Sequence, residues 1–248
     1  MTRIAVLSDV HGNLVALEAT LADIRREKVD AILVAGDHVV NGPDPAGVVD
    51  ALRALEADGA FIVAGNTDIA VADFDFGAAY PSYQDGVPDT IRAAAEWALE
   101  ALSDAHLDWL RRLPVERRLV AGDDALVLVV HGSPGSQPRG LDQALDPGVI
   151  YERVSPTDAR VICVGHTHVP EIRDLGWKII VNAGSAGFVF DGDPTASWAL
   201  ITVDGGTVDA VIRRSAFDTM AVANAISERG LAGDVYRAAT VRTGKLVR

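Results

Sequence analysis

Three short apolar runs near the start of the chain each end on a polar side chain: residues 3–9 on Asp9, 31–37 on Asp37 and 61–66 on Asn66. The stretches between them, 14–27 and 46–56, carry apolar residues at helical spacing. Strand, helix, strand, helix, strand in that order predicts a β-α-β-α-β unit with parallel strands. Ligands of open α/β sheets lie beyond the carboxyl ends of strands, so the three polar ends are expected to converge on one crevice.

The rest of the chain extends this pattern. Residues 90–113 are rich in Ala, Leu, Glu and Arg at helical spacing and stop at Pro114, which predicts one or two helices. The segment at about 87–114 is therefore expected to form a side wall or cap. Strands are predicted over 125–131, 160–166, 178–182 and 198–203, with 208–214 as a hairpin partner after Gly205-Gly206 and a last helix around 220–229. No internal repeat or Pro/Gly/Ser-rich linker divides the sequence, so residues 1–248 read as one domain with two packed sheets. A hydrophobic content of 49% is ample for its core.

Charge and cysteine usage narrow the chemistry. With 35 acidic against 22 basic residues the net charge is -13, which repels polyanions and argues against stable nucleic-acid binding. A small anionic substrate stays open, as does self-association into a homo-oligomer. The N-terminal run is apolar for only about four residues before Asp9, too short for a signal peptide or a membrane span. No membrane partner is expected, and a cytoplasmic location is the default. Cys163 is the single cysteine, so no internal disulfide can form and any metal must be held by oxygen and imidazole ligands.

Asp9-Val10-His11 puts two ligand-type side chains at i and i+2, which point to the same side of an extended chain, and His166-Thr167-His168 repeats the spacing. Asp37 in Gly36-Asp37, Asn66 in Gly65-Asn66 and His131 in His131-Gly132 each close an apolar run beside a glycine, which allows a sharp bend and close approach of an ion or substrate. Of six histidines, four (His11, His131, His166 and His168) lie in these motifs, and His38 and His106 are the others. One such histidine alone is ordinarily a surface or core residue. Four of them, with two carboxylates and an amide at matching strand ends, point to a metal centre.

The blocks Asp9/His11, Gly36/Asp37, Gly65/Asn66/Asp68, His131/Gly132 and Gly165/His166/His168 resemble, in order, the motifs of the calcineurin-like metallophosphoesterases. Asn182-Ala183-Gly184-Ser185 and Asp191-Gly192-Asp193-Pro194 look like the downstream signature of that family's small bacterial and archaeal branch. The resemblance implies a four-layer α/β/β/α sandwich. It assigns Asp9, His11 and His168 to one divalent ion, Asn66, His131 and His166 to a second, and Asp37 as the bridge. Two such ions about 3.5–4 Å apart need a shared carboxylate and generate a hydroxide nucleophile at neutral pH. Mixed N/O ligation suits manganese, iron, zinc or nickel. The implied activity is hydrolysis of a phosphodiester or phosphomonoester on a small phosphorylated substrate, by in-line attack of a metal-bridging hydroxide. Asp37, Asn66 and His131 would form its catalytic core, and Asn66 and Arg139 would touch substrate. The alternative is a catalytically weak binding or scaffold protein on the same fold, like the family's retromer subunit.

Three positions depart from the family. Thr67 stands where many members have a histidine that protonates the leaving oxygen, and threonine has no pKa for that work. His38 is the conceivable substitute, though a packed histidine is expected there. Asn41 precedes Gly42 where protein-phosphatase and dinucleotide-tetraphosphatase branches carry an arginine, which favours a phosphodiesterase over a protein phosphatase. Phe190 replaces an arginine before Asp191, giving an apolar wall. Asp68 is kept and is expected to hold its loop.

Overall fold

The computed structural model describes residues 1–122 and 125–248. Strands β1 (Thr2–Leu7), β2 (Ala31–Ala35) and β3 (Phe61–Val63) alternate with helices α1 (Leu14–Glu27) and α2 (Pro45–Ala57). They lie parallel, as the opening pattern predicts. Helix α1 starts where Asn13 accepts the amide of Ala16, and α2 where Asp44 accepts that of Gly47 with Pro45 in the first turn. Then come α3 (Asn66–Ala72), α4 (Phe76–Ala79), α5 (Asp89–Ala101) and α6 (Asp104–Arg112). The second half holds β4 (Glu116–Ala121), β5 (Ala125–Val130), α7 (Pro147–Val154), β6 (Val161–Val164), β7 (Glu171–Asp174) and β8 (Ile179–Asn182). It closes with β9 (Ala196–Asp204), β10 (Thr207–Ser215), α8 (Thr219–Arg229) and α9 (Asp234–Thr243).

Two mixed five-stranded sheets result, ordered β10-β9-β1-β2-β3 and β4-β5-β6-β8-β7. Side chains alternate along each strand, so Ile4 and Val6 of β1 face the second sheet whereas Ala5 and Leu7 face the helices. The layer between the sheets packs Leu33 and Val63 with Val127, Cys163 and Val181. Helices α1, α2, α5 and α6 cover the outer face of the first sheet, and α7 covers the second. This is the α/β/β/α sandwich.

Several boundaries differ from expectation for local reasons. The run 61–66 stops being a strand at Val63, because the Asp68 carboxylate accepts the Gly65 amide and turns the chain into α3, which Asn66 opens. The segment at 87–114 forms two helices, α5 and α6, packed in the same core as α1 and α2. Edge strands β4 and β7, and helices α7 and α9, carry no strong period in sequence. Strand β4 begins Glu-Arg-Arg and is mostly exposed, and β7 has only four residues.

Candidate metal centre

All seven predicted ligands gather beyond the carboxyl ends of the strands. Asp9 and His11 follow β1, Asp37 follows β2, Asn66 follows β3, His131 follows β5, and His166 and His168 follow β6. One oxygen or ring nitrogen from each of Asp9, His11 and His168 falls within a 4.8 Å cluster, and the same holds for Asp9, Asp37 and His131. His131 and His166 meet with Nε2 and Nδ1 3.1 Å apart, and the Asn66 Oδ1 lies 3.0 Å from each of those nitrogens.

The backbone that delivers them is not extended. Asp9, His11, Asp37, His166 and His168 have φ of 55°, 52°, 58°, 68° and 59°. The Asp-x-His and His-x-His pairs therefore reach the centre through left-handed turns, which correct the extended i, i+2 geometry. Such conformations cost a β-carbon-bearing residue about 1–2 kcal/mol each and cluster at functional sites. The neighbouring glycines also act differently from expectation. A β-carbon at Gly65 would collide with the Asp37 carboxylate, and one at Gly165 with Ser8 and the Asp9 carboxylate. They admit the ligands themselves into close packing.

The hydrogen bonds fix which nitrogens are free. His11 Nδ1 donates to Val40 O (3.0 Å), His131 Nδ1 to Ala35 O (2.7 Å), and His168 Nδ1 to Phe188 O. Carbonyls only accept, so in the neutral rings each Nε2 carries the lone pair. The lone-pair nitrogens of His11 and His168 then face one another at 3.1 Å. Asp9 Oδ1 is buried beside them, 3.2 Å from His168 Nε2, with no hydrogen-bond partner among the described residues. Acceptors crowded this closely repel one another unless a cation lies among them, so the donor set fits divalent metal.

Without a cation, protons take its place. Burial lowers the His131 pKa, but the Asp37 charge and hydrogen bond outweigh it and push the group up to about 10. Burial likewise raises Asp37, yet His131 and then His11 hold its carboxyl well below the usual range. Asp9 is also driven well below its ordinary value, burial being opposed chiefly by His168. His166 moves down to about 4, through burial and then the charge on His131. The centre therefore carries ionised carboxylates and at least one imidazole that stays neutral near pH 7.

Supporting contacts tie the ligand loops together. Asp68 is buried and accepts the amides of Asp37 (3.0 Å), His38 (2.8 Å) and Gly65 (2.8 Å), the loop role expected of it. His38 is buried, donates Nε2 to Val63 O at 2.9 Å and lies beside Trp109, so it packs as a core residue. Thr67 donates its amide to Asp37 Oδ1 at 2.9 Å, and its hydroxyl has no partner among the described residues. Three residues whose roles were not read from the sequence also brace the centre. Ser8 donates to Ala35 O, Ser185 to Asp9 O, and Asn182 to Gly165 O and Thr167 Oγ1. Asp191 pairs with Arg214, which anchors the downstream loop to β10.

Arg139 is exposed and lines a cavity of about 410 Å³ with Asn66, Tyr80, Ser82 and His166. Tyr80 and Ser82 were not singled out in the sequence, because nothing in their spacing links them to the ligands. Burial, then the charges of Asp37 and Asp68, raises the Tyr80 phenol above its ordinary pKa. It stays protonated as a hydrogen-bond donor. Asn41 holds its place through Arg237 Nε, which donates to Asn41 Oδ1 at 3.1 Å. Among the described residues no helix is long and apolar enough to cross a membrane.

Comparison with known proteins gives a consistent picture. The calcineurin-like phosphoesterase superfamily domain matches residues 2–206. A crystal structure of a metallophosphoesterase from Sphaerobacter thermophilus is 30% identical, with 98% of this chain and 99% of that one covered at a TM-score of 0.74. A hypothetical protein from Pyrococcus horikoshii shares the fold at a TM-score of 0.83, with 24% identity over 98% of this chain and 99% of its own. An uncharacterized protein of Methanocaldococcus jannaschii is 28% identical over 213 residues, 79% of this chain and 81% of its own length.

Proposed function

This chain belongs to the calcineurin-like phosphoesterase superfamily, and on that premise we propose that it hydrolyses a phosphodiester or phosphomonoester with two divalent ions bound at the strand ends. The observation that carries the reading is the crowding of lone pairs: His11 Nε2 against His168 Nε2 at 3.1 Å, with the Asp9 Oδ1 3.2 Å from His168 Nε2. Asp9, His11 and His168 would hold one ion, Asn66, His131 and His166 the other, and Asp37 would serve both. Manganese, iron, zinc and nickel suit these ligands. When bound, such ions would supply Lewis acidity toward phosphoryl oxygens and lower the pKa of a water able to attack phosphorus in line with the leaving oxygen.

The chain's own groups do the rest. The carbonyls of Val40, Ala35 and Phe188 orient His11, His131 and His168, fixing their tautomers. Two carboxylates against two dications leave the centre cationic, which draws in a phosphoryl group despite the net charge of -13. Arg139 and Asn66 line the same cavity, and each would donate to the phosphoryl oxygens. Thr67 offers no proton of suitable pKa, so the leaving oxygen departs without a side-chain acid. We read the whole chain as one catalytic unit acting in the cytoplasm on a small phosphorylated substrate, a diester more readily than a phosphoprotein.

Protein stripped of metal and reloaded separately with manganese, nickel, zinc and iron is assayed on p-nitrophenyl phosphate and bis-p-nitrophenyl phosphate. Turnover that depends on metal, and that Asp37→Asn abolishes together with occupancy by both ions, is the expected result. Near-normal turnover of Asp37→Asn with two ions bound would defeat the bridging role. No hydrolysis with any of the four metals would defeat the enzyme reading.

A further inference from the structure

Building on the hydrolase reading above, we infer that the substrate is a phosphodiester with a flat aromatic ring on one arm, and that the ring lies in a second cavity beside His11 and His168. This cavity has a volume of about 510 Å³, within the usual range for small-molecule sites, and Asn41, Tyr83, Phe188, Phe190 and Tyr236 line it. Its wall is built onto the ligands of the proposed first ion. The Phe190 ring lies flat against the His168 imidazole, with centroids 4.1 Å apart and planes 11° off parallel. Phe188 stands edge-on to His11 and His168 at 6.1 and 6.3 Å.

The polar cavity with Arg139, Tyr80 and Ser82 is built onto Asn66 and His166, ligands of the proposed second ion. One short stretch of chain between α4 and α5 walls both cavities. Tyr80 lines the polar one and Tyr83 the aromatic one, with their rings edge to face at 6.4 Å. A phosphoryl group held over the ions would thus border the polar cavity at Asn66 and His166, and the aromatic one across the Phe188 and Phe190 wall that packs on His11 and His168. A monoester has one organic arm and fills one of them, whereas a diester has two.

The two linings differ in chemistry. Aromatic residues make up only 6% of the chain, yet four of these rings, two Phe and two Tyr, face the cavity beside His11 and His168. Arg237, which also lines it, already donates to Asn41, Asp234, Ala232 and Thr90. Arg248 and Thr90 also line it, but most of this wall is apolar, and its ring faces and edges stack on a nucleobase or an aryl group regardless of hydrogen-bonding pattern. The other cavity offers a guanidinium, a phenol and a hydroxyl, suited to a sugar or other polar arm.

The test uses the manganese-loaded protein hydrolysing bis-p-nitrophenyl phosphate, inhibited competitively by methylphosphonate, phenylphosphonate or thymidine 5′-phosphate. The two aromatic inhibitors are expected to bind about tenfold or more tightly than methylphosphonate, as stacking on a protein ring provides. Tyr83→Ala and Tyr236→Ala, at positions 44% and 45% exposed, should each shrink that ratio severalfold. The tighter of the two aromatic inhibitors identifies the ring as nucleobase or simple aryl. Bis-p-nitrophenyl phosphate should also exceed p-nitrophenyl phosphate in kcat/KM. Equal inhibition by all three compounds, a ratio untouched in both variants, or a preference for the monoester would overturn the inference while leaving the hydrolase in place. Failure to hydrolyse either ester with any of the four metals would remove the hydrolase reading, and the inference with it.

Discussion

Asp68 is the residue whose replacement tests most directly how the centre is held. Its buried carboxylate accepts three backbone amides, from Asp37, His38 and Gly65, and so clamps the loop after β2 to the loop after β3. Hydrogen bonds to a charged group contribute roughly 1.5–3 kcal/mol each, and an orphaned buried donor costs about 1–3 kcal/mol. Asp68→Ala strands all three amides, so even with water entering the gap a loss of about 4–6 kcal/mol is expected. That is a large share of the roughly 5–15 kcal/mol that stabilises a domain. Asp68→Asn is milder. If its single oxygen takes the place of Oδ2, the bonds to Asp37 and Gly65 survive and the amide nitrogen confronts the His38 N–H, for a loss of about 2 kcal/mol. Both variants free the backbone of Asp37 and the approach to Asn66, and misplacement by about 1 Å can cost on the order of 10² in rate. Urea unfolding followed by circular dichroism gives the stability, and p-nitrophenyl ester turnover at measured metal content gives the rate. An Asp68→Ala protein within about 1 kcal/mol of wild type, turning over normally, would show that the clamp is not what positions these ligands.

Three further outcomes follow from the geometry. His131 has its folded pKa raised to about 10, above an ordinary value near 6.5. Its contribution in metal-free protein is therefore complete below about pH 6.5 and lost as pH rises toward 10. Unfolding of EDTA-treated protein at pH 6 and pH 9 should show a decline that His131→Gln lacks, while metal affinity moves the other way because the ion must displace that proton. A metal-free wild type whose stability rises over that interval relative to the variant would contradict this. His38→Gln should keep more than about a tenth of the activity, since His38 faces Val63 O; a drop of roughly 10² with metals bound would make it the missing acid. Thr67→His should flatten the dependence of rate on leaving-group pKa across aryl and alkyl phosphodiesters, with gains of up to about 10² for the poorest leaving groups. A dependence already flat in the wild type would show that another donor serves the leaving oxygen, and Tyr80 would be the first to replace.

The legible parts of this molecule are those where one physical rule acts locally. Buried strands such as β5 and β6 read as continuous apolar runs, and α1 occupies the range its apolar spacing predicts. The centre was legible because its ligands must sit at strand ends and few residue types can serve. What escaped depends on contacts distant in sequence. Strand β4 is defined by pairing with β5 and turns only Leu119 and Ala121 to the layer between the sheets, too short an alternation to announce it. The turn of 61–66 into a helix follows from where the Asp68 carboxylate falls, and Tyr80 joins the centre only because the α3–α4 region folds back beside His166. The backbone of the ligands was misread outright, since i, i+2 spacing looks the same in an extended chain and in a left-handed turn.

Those left-handed turns bear on how such a protein would age. At Asp9, His11, Asp37, His166 and His168 the backbone occupies a region that glycine enters freely and asparagine tolerates. A descendant relieved of catalysis could exchange any of the five for glycine and relax the turn, a gain offset at Asp9, Asp37, His11 and His168 by the loss of their hydrogen bonds to His166 N, Thr67 N, Val40 O and Phe188 O. Decay toward a scaffold should therefore leave a visible trail of glycine and asparagine at these positions before the fold itself drifts. The present chain has made none of those exchanges.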